Sequence, residues 1–452
     1  MSWNKKRGVG IGAARQGLAL TRYLAENGAE VVLTDARSED YLAQVRQVLA
    51  GLPVEWVLGD HPLNLLDGAD MVCPSGGVPL TIPFIQEAIW RGIQLSNDSQ
   101  IFMDAVQCPV VGITGSAGKT TTTTLMGRIA EQAVKAGIYN KSYVGGNIGL
   151  PLISLVEEMT ADDLAVVEFS SFQLDLMTSS PQVATILNVT PNHLDRHGTM
   201  AAYINAKKNI FAYQEPGDTL ILGHDDPQAW SFAPEAPGKL IAFGRELPEG
   251  QLGTYLHQEQ IWLRTSEGEI PVMPIEEVAL RGAHNLLNVL AACALSAALD
   301  LPTQVMRTGV QGFGGVEHRL EFIGELGGVQ WYNDSKATSP GMTVTAMQAF
   351  SEPLIVLAGG RDKALPWDGF AAQAEKQARK VIAFGEAAEI VLAAYPQAAV
   401  CEGLDQAVAL AAELAVPGDV VLLAPGGTSF DEFVDYEARG RRFKALVQSM
   451  KE

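Results

Sequence analysis

Gly115, Ser116, Ala117, Gly118, Lys119, Thr120 and Thr121 carry the residue types of a phosphate cradle. Glycine lets backbone N–H groups approach phosphate oxygens, the Lys119 ammonium neutralises the β and γ phosphates, and the Thr120 hydroxyl suits a magnesium ion. A strand-like run, Val110 to Ile113, leads into the loop, and helix-compatible residues follow it. The usual GxxxxGK[ST] spacing would place a glycine where Ile113 stands, so something narrower than a generic P-loop protein is described. A plain glycine turn with a surface lysine is the competing reading. The order of strand, loop, lysine and hydroxyl weighs against it.

Other residues with chemical capacity lie in similar places. "GVGIGAARQG", Gly8 to Gly17, is a second glycine-rich turn opening a helix. It suits a diphosphate, with Asp35 about twenty residues on to accept a ribose or uridine hydrogen bond; NAD is the rival ligand and a tight turn the simpler one. Glu168 closes a strand-like run beside Ser170, Ser171 and Gln173, and His193 and Asp195 follow the next run. A carboxylate and an imidazole beside a nucleotide phosphate are candidate magnesium ligands, although either alone is ordinary solvated structure. Lys207 shares a helical face with Tyr203, Ile204, Ile210 and Phe211. A lysine that lays its stem on apolar surface and keeps its ammonium in water is the simpler reading, because a buried one must be paired or chemically altered. His284, Asn285 and Asn288 fall on one helical face, suited to an adenine or ribose edge or to a cap. Arg319 follows, and then Asp334, Lys336 and Thr338 in one strand-to-helix turn, a mixture that favours a polar substrate over a salt-bridged turn.

The elements that must position these groups alternate strand and helix. Asp35, Lys119, Glu168, His193, Lys363 and Ser429 each come just after a strand-like run, where open parallel sheets bind ligands. The 452 residues allow several cores. We expect an α/β protein of three domains: a Rossmann-like sheet at 1–107, a central P-loop ATPase-type sheet at 108–312 with an antiparallel insertion across 217–281, and a Rossmann-like α/β domain at 313–452. With 32 basic and 52 acidic residues the formal charge is −20, which argues against nucleic acid and anionic membrane as partners. The four cysteines form no CxxC pair, so neither zinc nor a disulfide framework is expected, and a reducing cytoplasm fits. Arg15 and Arg22 interrupt any signal-like apolar stretch near the start, and Val289 to Leu299 is too short to span a bilayer and reads as a buried helix.

Taken in order, "TGSAGKTT", "GGNIG", "EFSSFQL", "NHLDRHG", "YINAKK", "GAHNLLN", "EHRLE" and "NDSKATSPG" resemble the Mur ligases, and "NDSKAT" resembles the D-glutamate-adding branch. The likeness covers essentially the whole chain and accounts for the missing glycine, since the family uses GxxGK[ST]. It implies ATP-dependent addition of D-glutamate to UDP-N-acetylmuramoyl-L-alanine in cytoplasmic peptidoglycan precursor synthesis, by a monomer using ATP and two magnesium ions. It assigns Gly115, Ser116, Ala117, Gly118, Lys119, Thr120, Thr121, Asn285, Asn288, Arg319 and Asp334 to ATP. Thr120, Glu168, His193 and Lys207, the last as a carbamate, go to metal.

The same likeness assigns Gly12, Arg15, Gln16, Asp35, Arg37, Gly76, Asn147 and His193 to the UDP substrate. Thr338, Lys363, Ser429 and Tyr436 go to D-glutamate, and Lys119, His193, Lys207 and Lys336 to catalysis. Three departures stand out: "GIGAARQG" is longer than the usual glycine turn, "CPSGGVP" replaces a commoner SPGVP, and Tyr436 stands where phenylalanine is common. The alternatives are a Mur-type or folylpolyglutamate-type ligase for a different amino acid, and a nucleotide-binding regulator without ligase activity.

Overall fold

Val110, Val111, Ile113 and Thr114 have no exposed surface, as a strand covered by helices on both faces requires. This strand sits inside the largest of three sheets in the computed structural model, which describes residues 3–450. The first sheet comprises β1 (Arg7–Ile11), β2 (Glu30–Asp35), β3 (Val54–Leu58), β4 (Met71–Pro74) and β5 (Gln94–Leu95). Its order is β3-β2-β1-β4-β5, all parallel, so the order reverses between β1 and β4.

The second sheet holds β6 (Val110–Thr114), β7 (Ser142–Gly146), β8 (Leu164–Glu168), β9 (Val183–Ile186), β10 (Thr219–Gly223), β11 (Lys239–Phe243), β12 (Gly253–His257), β13 (Gln260–Thr265) and β14 (Gly268–Pro274). Their order is β14-β13-β12-β11-β10-β9-β6-β8-β7. The expected antiparallel insertion is present but narrower than 217–281. β10 and β11, from "DTLILG" and "KLIAFG", pair parallel with β9 and with each other, β12 joins β11 in parallel, and only β12, β13 and β14 run antiparallel. β10 is buried along its whole length, as an inner strand of the main sheet must be. The helix Ala283–Ala298 is buried from Val289 to Leu295, as its unbroken apolar run requires.

The third sheet contains β15 (Glu321–Leu326), β16 (Val329–Asn333), β17 (Leu354–Gly359), β18 (Ala378–Phe384), β19 (Ala399–Cys401) and β20 (Val420–Gly426). Its order is β15-β16-β20-β17-β18-β19, parallel except for the edge hairpin partner β15. The architecture is thus three α/β domains, one per sheet. The expected boundaries fall between sheets, yet the chain divides into two compact units. One comprises residues up to Glu276 together with Leu287–Gln311 and holds the first two sheets; the other comprises Glu277–Leu286 and the residues from Gly312 onward. Arg281 shows why 277–286 belongs to the second unit: its guanidinium donates to Tyr332 Oη at 2.7 Å, Glu352 Oε1 at 2.6 Å and Gln330 Oε1 at 2.7 Å.

Candidate active site

The loop after β6 runs into the helix Lys119–Lys135, whose first residue is Lys119. Gly118 precedes it at φ +82°, a backbone that L side chains rarely adopt, and a Cβ there would stand 2.3 Å from Asn288 Oδ1. Glycine is therefore required twice over, and Asn288 is brought against the loop. Thr122 Oγ1 also donates to Asn288 Oδ1, at 3.3 Å. Asn188 clamps the loop from the end of β9: Ala117 N–H donates to its Oδ1 at 2.8 Å and its Nδ2 donates to Ala117 O at 3.1 Å. Ser116 Oγ lies 2.8 Å from Tyr203 Oη. Thr120 and Thr121 form the first turn of the helix, where N–H groups face an anion.

Two ammonium groups converge here. Lys119 Nζ donates to Gly115 O at 3.0 Å and Ser116 O at 3.4 Å, and Lys207 Nζ donates to the same Gly115 O at 2.9 Å and to Thr114 Oγ1 at 3.4 Å. Lys207 is 1% exposed, so the reading of an ammonium reaching water is corrected: the amine is sealed between the phosphate loop and the Tyr203 ring, whose centre is 4.8 Å away. Among the described residues no carboxylate forms a salt bridge with it. Burial first, and the Lys119 charge second, hold Lys207 well below its ordinary 10.5.

Glu168, the last residue of β8, is 1% exposed. Asn147 Nδ2 donates to its Oε1 at 2.7 Å, whereas Oε2 is buried with no hydrogen-bond partner. A buried carboxylate oxygen without a donor is costly unless a cation serves it. The Glu168 carboxylate and the Thr120 hydroxyl offer oxygen donors and His193 a nitrogen, and the oxygens are of the kind magnesium takes. His193 occupies a left-handed backbone (φ 54°, ψ 30°) at the start of the short helix Leu194–His197 and is exposed. Partial desolvation, then the Lys119 charge, lower its imidazole from the ordinary 6.5. Phe172 meets the His193 ring edge-on at 5.1 Å and stacks on His197 at 5.0 Å, and His197 Nε2 lies 2.9 Å from Ser171 Oγ.

On the first sheet, Asp35 has all its acceptor positions engaged. Ala13 N–H donates at 2.7 Å, and Arg37 donates from its backbone and twice from its side chain at 2.9, 2.8 and 2.6 Å. Burial opposes ionisation, but the Arg37 and Ala13 hydrogen bonds outweigh it and hold the carboxyl at about 2. Asp35 thus shapes the glycine loop in this arrangement, and a ligand hydroxyl would have to displace one of these donors. Arg15 begins the helix Arg15–Glu26 and its Nη2 donates to Asn147 O at 3.4 Å, which joins the Gly12 loop of the first sheet to the Asn147–Glu168 pair of the second. Gln16 lies beside Gly76.

The second unit gathers its own cluster. Lys363 Nζ donates to Thr338 Oγ1 at 3.1 Å, although 25 residues separate them. Lys336 Nζ donates to Tyr436 Oη at 3.2 Å and lies 4.9 Å from the ring centre. Ser429 is 2% exposed in the loop after β20. Asp334 accepts from Leu320 N–H at 3.2 Å, and burial pushes its carboxyl up to about 7 against that bond and the Arg319 charge. Arg319 Nε is buried without a partner. Asn285, counted with this unit, donates from Nδ2 to Arg281 O at 2.7 Å. The sequence reading passed over Asn188, Phe172, His197 and Arg439. Asn188 stands at a strand end like the residues it did select.

Family descriptions match in sequence: the MurD-like N-terminal domain over residues 6–97, the Mur ligase middle domain over 113–296, and the glutamate ligase domain of Mur ligases over 318–427. A relative from Symbiobacterium thermophilum is 40% identical over 449 residues, spanning 98% of this chain and 97% of its own. The chain belongs to the Mur ligase family. Another relative of this Mur ligase, from Pelotomaculum thermopropionicum, is 39% identical over 457 residues, 99% of both chains. Both relatives are named UDP-N-acetylmuramoylalanine–D-glutamate ligase. Two solved Thermotoga maritima structures share the fold at 17% identity and TM-score 0.57: the UDP-N-acetylmuramate–alanine ligase MurC (98% of this chain, 99% of that one) and the MurF ligase in complex with ADP (99% and 96%). In this Mur ligase no helix among the described residues is long and apolar enough to cross a membrane.

Proposed function

We propose that this Mur ligase joins D-glutamate to UDP-N-acetylmuramoyl-L-alanine with cleavage of ATP to ADP and phosphate. The observation that carries the reading is the convergence of Lys119 and the buried Lys207 on the Gly115 carbonyl. A lysine whose burial lowers its affinity for a proton is the better nucleophile for carbon dioxide, and the resulting carbamate is an anion in place of an unpaired base. Thr120, Glu168, His193 and the Lys207 carbamate are the residues that would hold two magnesium ions, whose chemistry is to offset phosphate charge.

The chain's own residues do the rest. A carboxylate and an amine do not condense in neutral water, so the alanyl carboxylate is first activated. One of its oxygens attacks the γ-phosphorus, the bond from phosphorus to the bridging oxygen of ADP breaks, and an acyl phosphate forms. Lys119 and the N–H groups of the loop stabilise the developing charge. The D-glutamate amine then attacks the acyl carbon, loses its proton to His193 or a nearby carboxylate, and the tetrahedral adduct releases phosphate. Gly12, Arg15, Gln16, Asp35, Arg37, Gly76 and Asn147 serve the UDP substrate in this proposal. Asn285, Asn288, Arg319, Asp334 and Lys336 serve the nucleotide, and Thr338, Lys363, Ser429 and Tyr436 serve D-glutamate. The domains carrying these roles are 1–107, 108–312 and 313–452, in a cytoplasmic monomer.

Phosphate release by purified protein, offered each amino acid in turn, tests the reading. It should require ATP, magnesium, the sugar nucleotide and D-glutamate together, and vanish in Lys119→Ala. Turnover with another amino acid and none with D-glutamate would overturn the specificity, and unaffected ATP turnover in Lys119→Ala would overturn the ligase assignment.

A further inference from the structure

Arg439 is 1% exposed, among the largest fully buried side chains, and it forms no salt bridge among the described residues. Its four hydrogen bonds reach two separate loops. Nε donates to Ser335 Oγ at 3.0 Å and Nη2 to Ser335 O at 2.9 Å, in the turn after β16; Nη2 also donates to Gly427 O at 3.1 Å and Nη1 to Thr428 O at 3.1 Å, in the loop after β20. The loop after β17 is pressed onto the same guanidinium. Gly360 lies at φ +90°, and a Cβ there would come within 2.7 Å of Arg439 Nη1 and 2.3 Å of Thr428 O. Arg361 and Thr428 also exchange backbone hydrogen bonds at 2.8 Å in each direction.

These three loops each carry one of the residues assigned to the amino acid: Thr338 after β16, Lys363 after β17 and Ser429 after β20. Tyr436, one turn before Arg439 on the helix Tyr436–Ser449, accepts the Ser335 hydroxyl at its carbonyl, at 2.8 Å. A planar fork with five donors can bind two loops at once in fixed geometry, whereas a lysine offers three donors from a point. Carbonyl dipoles solvate the buried charge, and burial still pulls the guanidinium down to about 10, so it stays charged at neutral pH.

We propose that Arg439 is a positioning residue for amino-acid recognition, its guanidinium setting the spacing between Thr338, Lys363 and Ser429. The proposal rests on the assignment of those three residues to D-glutamate. It is tested with the full chain, in Arg439→Lys and in Ser335→Ala, by steady-state KM for D-glutamate, ATP and the sugar nucleotide and by amide hydrogen exchange of the loops. In Arg439→Lys, KM for D-glutamate should rise about tenfold or more, that for ATP by less because Asp334 and Lys336 flank Ser335, and that for the sugar nucleotide should stay within about twofold, with exchange quickened in all three loops. Ser335→Ala, which keeps the charge and serves if the lysine variant does not fold, should shift KM for D-glutamate by a few-fold and leave KM for the sugar nucleotide unchanged. An equal rise in all three KM values, or loops as protected as in the wild type, would overturn the proposal. Loops quickened in Arg439→Lys, with a wild type that does not turn over D-glutamate, would remove the substrate assignment and leave only the ordering of the loops by Arg439.

Discussion

Lys119 and Lys207 donate to one carbonyl oxygen, that of Gly115, at 3.0 and 2.9 Å. Two ammonium groups sharing one neutral acceptor in a dry site repel, and the cheaper solution is for one to lose its proton. Lys207 is the more buried, and its burial and the Lys119 charge both lower its affinity for a proton.

Modification of Lys207 should therefore be needed for activity. Lys207→Ala is expected to lose at least about a hundredfold in kcat, with partial recovery in millimolar formate or acetate occupying the carbamate position. Absence of rescue, together with an unmodified lysine in the mass of the native protein, would remove the carbamate.

The same lysine has a signature in stability. In bicarbonate-free buffer the unfolded chain holds the Lys207 proton up to its ordinary value of 10.5, and the folded chain releases it well below that. The unfolded state then binds more protons, so this group's contribution to stability rises with pH through that window and levels off above 10.5. Thermal unfolding of wild type and Lys207→Met should show it. The variant should be at least as stable at pH 7 to 8, and the difference should shrink as pH approaches 10.5. A constant difference across that range would contradict the assignment.

Glu168→Gln keeps the shape at the end of β8 and removes the charge whose Oε2 has no protein partner. Activity should fall by about one to two orders of magnitude, and the magnesium concentration for half-maximal rate should rise. A variant with the wild-type magnesium curve would place the metal elsewhere.

Lys363 and Thr338 should act together on D-glutamate. Lys363→Met is expected to raise KM for D-glutamate about tenfold or more and Thr338→Val by less, with the double variant less than additive because the two side chains are bonded. Full additivity, measured by a double-mutant cycle on KM, would count against a shared ligand.

Much of this was legible in residue order. Glycines, Lys119 and threonines between a buried strand and a helix define the phosphate loop by local backbone demands alone. Glu168 closes its strand, and Lys363 and Ser429 follow theirs, because parallel sheets present their carboxyl ends. Less legible was 217–281, where short alternating runs suit both an antiparallel insertion and inner strands. Which strand each run pairs with depends on packing far along the chain, and β10 and β11 found parallel neighbours.

By itself, then, the sequence determined the glycine- and threonine-rich loop, the family and the three α/β blocks, because these follow from local spacing and side-chain chemistry. The tertiary structure decided what those groups experience. It sealed Lys207 against a carbonyl 92 residues away, left Glu168 Oε2 without a donor, and engaged the Asp35 carboxylate with Ala13 and Arg37. It also buried Arg439 among three loops. Burial and hydrogen-bond partners are properties of the packed chain, and they set the charge state and freedom of each group.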